Sequence, residues 1–252
     1  MVRLGPGHSR YGSLLQSDRV MSQDREMTIF EHLEELRGRL IKAVAGLVLT
    51  TTLSLIFTTD LLKWLIAPAG NVRPVFLRPQ EGLVTYLRVA LLSGVVLAMP
   101  LIVYQLLRFI IPALHPGEKR YLLFVVPGAT VSFVLGAAFA YFVMLPVALQ
   151  YLLSFGSDIA EATWAIGEYV SFVTGLMFWL GVVFQLPLIV FVLSKLGIVN
   201  SRLLAQNRKY AVLIIAVVAA VITPTADPLN MLLVMAPLLV LFEVGVFVSR
   251  FA

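Results

Sequence analysis

Six predominantly apolar runs recur along this chain, at residues 41–59, 83–111, 121–145, 167–194, 210–223 and 229–249, each bounded by proline, glycine or charge. A bilayer hydrocarbon core about 30 Å thick takes roughly 20 helical residues to cross, and lipid offers a backbone amide no hydrogen-bond partner, so each run must be helical. Of the 252 residues, 60% are hydrophobic and 13% charged, with a mean hydropathy of +0.93, too apolar for a soluble domain. The predicted fold is an all-α integral membrane protein with six transmembrane helices. The fifth run, "YAVLIIAVVAAVIT", has only 14 residues and rises about 21 Å. It either crosses where the bilayer thins beside it or forms a re-entrant segment.

Charge sets the orientation. With six spans, 15 of the 19 lysines and arginines fall on the side where the chain begins: seven in residues 3–42, then Arg108, Lys119 and Arg120, then Lys195, Arg202, Arg208 and Lys209, and finally Arg250. Lys63, Arg73 and Arg78 lie opposite. Because cations accumulate on the cytoplasmic side, both termini are predicted to be cytoplasmic, and the basic excess reports topology rather than nucleic-acid binding. Residues 1–27 are polar and mix both charge signs, unlike a signal or transit peptide. They read as a disordered cytoplasmic extension to a membrane domain over residues 28–252. The chain has no cysteine, which excludes disulfides and thiolate chemistry, and His8, His32 and His115 all lie outside the apolar runs.

Pro100, Pro127, Pro146, Pro187 and Pro237 fall in or at the ends of these runs. Each deletes a backbone donor and bends its helix, so the helices are expected to curve around a concave cup. No internal repeat is evident, which weighs against a transporter built from two related halves.

The segment "FEHLEELRGRL" at 30–40 masses acids and bases directly before the first apolar run. Thr28 and Glu31 fit a capping box, so a helix is predicted to start at 28 or 29 and to run on through Gly38 into the first span. Ile29, Leu33, Leu36 and Leu40 then form an apolar stripe, while His32, Glu35 and Arg39 share another face. Two readings of the acids stay open: local ion pairs, Glu34 with Arg37 and Glu35 with Arg39, or a site for something cationic. Glu118 is the only carboxylate between the second and third runs. It either pairs with Lys119 or Arg120 or joins Glu35 in holding two guanidinium groups, whose planar fork suits a carboxylate better than a lysine ammonium does.

Six motifs then carry a resemblance: "HLEELRGRL", "LAMPLIVYQLLRFIIPALHPGEKR", "GAAFAYFVMLP", "FQLPLIVFVLSKLGIV", "ITPTADP" and "LFEVGVFVSRF". In this order they resemble TatC, the six-span component of the twin-arginine protein translocase, from about residue 28 to the end. The resemblance implies a receptor that binds twin-arginine signal peptides at its cytoplasmic face. With TatA- and TatB-type single-span partners and further TatC copies, it would export folded proteins using the proton-motive force. It implies a multi-pass protein of the prokaryotic plasma membrane and no cofactor. Carried over by motif, Glu35 and Glu118 are the arginine-binding carboxylates, with His32, Arg37 and Phe109 supporting the same surface. The family usually has Glu where this chain has Gln185, so protonation chemistry there gives way to neutral hydrogen bonding. That amide either contacts a partner's span or bonds a neighbouring helix.

Glu243 in the last run is expected to be protonated or paired across helices, most simply in a structural role. The resemblance places Thr223, Asp227 and Asn230 in a contact region for a TatB-like helix, while Asp227 equally suits a helix cap. Arg88 is expected to snorkel and is assigned no site. An ion-coupled small-molecule transporter is the leading alternative, yet it would gather its charges near the midplane. An intramembrane enzyme would need a nucleophile with its base, or a metal cluster, within the spans, and no histidine or cysteine lies there.

Overall fold

The computed structural model describes residues 29–70, 74–110, 122–154, 163–223 and 228–251. Glu118 and Asp227 lie outside these residues, as does the side chain of Asn230.

Among the described residues the six runs become ten α-helices. Helix α1 (Ile29–Ser54) carries the acidic motif and first run as one piece, and α2 (Thr58–Ile66) follows after a turn. Next come α3 (Glu81–Ile110), α4 (Leu122–Phe139), a π-helical segment (Ala140–Met144) and α5 (Leu145–Ser154). Helices α6 (Ile166–Val183) and α7 (Leu186–Lys195) are followed by a short α8 (Ser201–Gln206), α9 (Arg208–Ile222) and α10 (Pro228–Val248). Among the described residues, Glu81–Phe109, Phe124–Ser154, Ile166–Lys195 and Met231–Val248 are long and apolar enough to cross a membrane, and the bent pair α1–α2 makes a fifth. Helix α9 is the sixth and short one, its 15 residues rising about 22 Å.

Two boundaries differ from the sequence expectation. The first span, expected to reach residue 59, stops at Ser54, where the chain bends by 78° into α2. No proline causes this bend; it is a three-residue turn over Leu55, Ile56 and Phe57, closed by the Thr58 hydroxyl donating to the Ser54 carbonyl oxygen at 2.8 Å. The third span continues through the π segment to Ser154 rather than ending at 145. Pro146 and Pro187 stand one residue inside α5 and α7, directly after irregular backbone, whereas Pro100, Pro127 and Pro237 are accommodated inside continuous helices.

Packing is sequential around an arc. Helix α1 lies along α3, α3 packs on α4 and α6, and α10 joins α7 to α9. At the crossing of α4 with α6, small residues replace large ones. A side chain on Gly136 would come within 2.7 Å of the Leu180 carbonyl oxygen, and one on Gly181 within 2.8 Å of the fully buried Phe133 ring. Without a hydrophobic force between helices in lipid, such close backbone approach supplies the van der Waals contact that holds them.

On the face opposite the acidic motif, polar contacts tie the chain ends of α2, α3 and α6 together. The Glu81 carboxylate accepts from the backbone N–H of Leu77, Arg78 and Gly167 at 2.7, 3.2 and 2.9 Å. Val75 pairs with the segment before α6, donating to the Trp164 carbonyl and accepting from Ile166 N–H. The Tyr141 and Tyr169 hydroxyls donate to the carbonyl oxygens of Trp64 and Leu65 at 2.7 and 2.9 Å, and Trp64 stacks on Tyr141.

Overpacking the helix crossing should be felt directly. Gly136→Val is expected to destabilise the protein by about 1–3 kcal/mol, read as a lower unfolding midpoint in detergent. Gly175→Ala, where an added methyl meets nothing within 4 Å, should leave the midpoint unchanged or slightly raised.

Candidate functional site

The acidic motif begins a helix whose amphipathicity is inverted. The stripe that periodicity marks as apolar is the exposed one: Leu33 and Leu40 are 54% and 60% accessible, and Leu36 is exposed as well. The polar face turns inward. His32 is half-buried and stacks on Phe109 with ring centroids 4.3 Å apart and planes 19° apart. This stack joins the start of α1 to the end of α3, so two predicted site residues meet. Leucines and the charged Glu34 and Arg37 share the outward face, while His32, Glu35 and Arg39 are half-buried.

One turn along, Glu35 is 24% accessible and pairs with Arg39. The Arg39 Nε and Nη2 both donate to Oε1, the former at 3.0 Å. The second oxygen, Oε2, is buried and has no hydrogen-bond partner among the described residues. Of the two local ion pairs expected, Glu35 with Arg39 forms, while Glu34 and Arg37 are both exposed and do not pair. Arg108, next to Phe109, donates to the Tyr104 hydroxyl at 3.0 Å. The face therefore carries a half-buried carboxylate with one oxygen occupied by an internal guanidinium and one with no donor among the described residues. A buried acceptor left without a donor costs roughly 1–3 kcal/mol.

The other polar residues lie elsewhere. Gln185 is buried at the turn between α6 and α7, and its Nε2 donates to the Ala129 carbonyl oxygen of α4 at 3.1 Å. This is the helix-to-helix bond that was one of the two expectations for this amide. Thr223 is buried and donates to the Ala219 carbonyl oxygen at the end of α9. Glu243 pairs across helices, accepting from Arg208 at 2.7 Å; both side chains are about half exposed at the basic end of α9 and α10, so the acid is shallower than its place in an apolar run suggests. Arg88 donates to the Gly167 carbonyl oxygen at the start of α6 at 3.3 Å.

Fold and site together define a membrane-embedded multi-helix protein that presents a half-buried carboxylate on the face holding most of its cations. The family follows from comparison. Residues 31–237 match the TatC family model, described as Sec-independent protein translocase protein (TatC). The Sec-independent protein translocase protein TatC of Carboxydothermus hydrogenoformans is 38% identical over 231 residues, covering 91% of this chain and 95% of that one. The chloroplastic TATC of Pisum sativum is 38% identical over 244 residues, covering 96% of this chain and 69% of that protein. A crystal structure of a twin arginine translocase receptor, TatC, superposes with a TM-score of 0.78 at 36% identity, covering 88% of this chain and 99% of that one. The chain belongs to the TatC family.

The position of Gln185 makes its chemistry testable. The Ala129 carbonyl takes its side-chain donor from Gln185, so Gln185→Leu, which keeps the bulk and removes the donor, should lower the unfolding midpoint in detergent by the equivalent of about 1–3 kcal/mol. Gln185→Asn is the control, and an unchanged midpoint in Gln185→Leu would show that the bond contributes nothing to the packing of α6 on α4.

Proposed function

We propose that this protein is the core receptor subunit of a twin-arginine translocase, binding paired arginines of cargo signal peptides at its basic, cytoplasmic face. One observation carries the reading: Glu35 holds a buried carboxylate oxygen with no donor among the described residues, beside a helix end anchored by the His32–Phe109 stack. An incoming guanidinium supplies that donor. Arg39 orients the carboxylate through its other oxygen, so cargo completes a site rather than building one.

Glu118 supplies the second carboxylate. It stands in the segment joining α3, which ends at Ile110, to α4, which begins at Leu122, on the same membrane face as Glu35. Two carboxylates receive two guanidinium forks, whereas a lysine presents a compact, strongly hydrated charge without the planar pair of donors. Arg37, exposed at the rim, contributes to the same surface. Half-exposed ion pairs are individually modest, so affinity comes mainly from the apolar segment of the signal peptide against the helices and selectivity from the arginines.

The chain binds and organises; it makes and breaks no bond. The name of the crystallised relative, a twin arginine translocase receptor, supports this role. TatA- and TatB-type single-span proteins and further copies of the chain complete the machine in a prokaryotic plasma membrane, with the proton-motive force driving export of folded cargo. The exposed faces of α9 and α10, beside Thr223 and Asn230, offer the single-span partners an apolar surface.

Glu35→Gln and Glu118→Gln should each weaken binding of a labelled twin-arginine peptide to the reconstituted protein about three- to tenfold, with helical content and monodispersity unchanged. Replacing both peptide arginines by lysine should weaken it comparably. A double variant that still inserts and still prefers arginine over lysine would defeat the assignment.

A further inference from the structure

Where α9 stops short, on the face opposite Glu35, a groove of about 620 Å³ lies between α3, α6 and the end of α9. Its charged lining is Arg78, Glu81 and Arg88 together with Glu168 from α6, and its apolar lining includes Phe172 and Trp179 from α6 and Ile222 from α9. Glu168 and Trp179 stand 11 residues apart on one helix, so the groove extends about 16 Å along α6. It occupies space that a full-length fifth span would fill.

The rim charges are held apart. Arg88 donates through Nη1 to the Gly167 carbonyl at 3.3 Å, and its other N–H groups have no partner among the described residues. The neighbouring Glu81 carboxylate is occupied by three backbone donors. Glu168 is exposed and forms no ion pair among the described residues, although it shares the groove with Arg88. Arg88 and Glu168, opposite charges in one groove that do not pair with each other, match a ligand that carries both signs, and Arg78 beside Glu81 adds a second cation for its anionic part. The apolar floor beneath them requires that ligand to have a hydrocarbon tail.

We infer that this groove binds a phosphatidylethanolamine of the adjoining leaflet, its phosphate at Arg88, its ammonium at Glu168 and an acyl chain along Phe172 and Trp179. A guanidinium receives a phosphate through paired hydrogen bonds, and a primary ammonium donates to a carboxylate. A choline headgroup has no N–H to give Glu168. A glycerol headgroup leaves a net negative lipid facing that carboxylate.

Native mass spectrometry of the full chain, released from micelles doped equally with phosphatidylethanolamine, phosphatidylcholine and phosphatidylglycerol, tests the assignment. One phosphatidylethanolamine should be retained in preference to the other two. Loss of one charge-assisted contact in Arg88→Gln or Glu168→Gln should cut that retention about tenfold. Glu168→Gln leaves the Arg88 contact with Gly167 in place, and it should also narrow the gap between phosphatidylethanolamine and phosphatidylglycerol, which a loss of folding would not do. Equal retention of the three lipids, or a preference unchanged in both variants, overturns the inference. So does a lipid-free dimer, which would show a second copy covering the groove.

Discussion

Hydrocarbon solvates no polar group, and that constraint orders this structure. A hydroxyl or amide inside the lipid costs free energy unless it finds a partner within the protein. Thr58, Thr174 and Thr223 therefore bond back to carbonyls one turn earlier in their own chain. Tyr141 and Tyr169 reach the backbone of α2, and Gln185 crosses from the α6–α7 turn to α4. At the start of α1, His32, Glu35 and Arg39 are half-buried while Leu33, Leu36 and Leu40 face outward.

The proposed binding face lies where that constraint relaxes. At the basic end of α1 the Glu35 carboxylate is partly shielded. Arg39 pairs with it from one side, and the stack of His32 on Phe109 joins the helix that carries it to α3. A partly shielded charge interacts more strongly with an arriving guanidinium than one in bulk water, yet loses less hydration than one at the midplane. Selectivity for arginine and tolerance of varied apolar segments are therefore compatible in one receptor.

Much of this was legible in the sequence because lipid reduces folding to run length and charge side. The six runs, the helix continuing through Gly38, the shortness of the fifth run and the pairing of Glu35 with Arg39 all follow from local spacing. Contacts between distant residues were not legible. Nothing near Glu81 announces that Gly167, 86 residues on, will donate to it, although a glutamate opening a helix is a recognisable capping signal. The 78° bend after Ser54 lacks the proline that usually marks one, and Glu243 looked deep because its neighbours are apolar while its partner, Arg208, opens a different helix. Periodicity located the stripe of Leu33, Leu36 and Leu40, but which side of a helix faces lipid depends on neighbours that periodicity does not contain.

The polar fastenings between α2, α3 and α6 have a mechanical consequence. Among the described residues, Glu81, Val75, Tyr141 and Tyr169 lash four elements into a collar at one rim, whereas the other rim shows one aromatic stack and one exposed ion pair between helices. Polar ties between helices are thus unequally shared across the membrane, and the proposed leader would arrive at the rim that holds fewer of them.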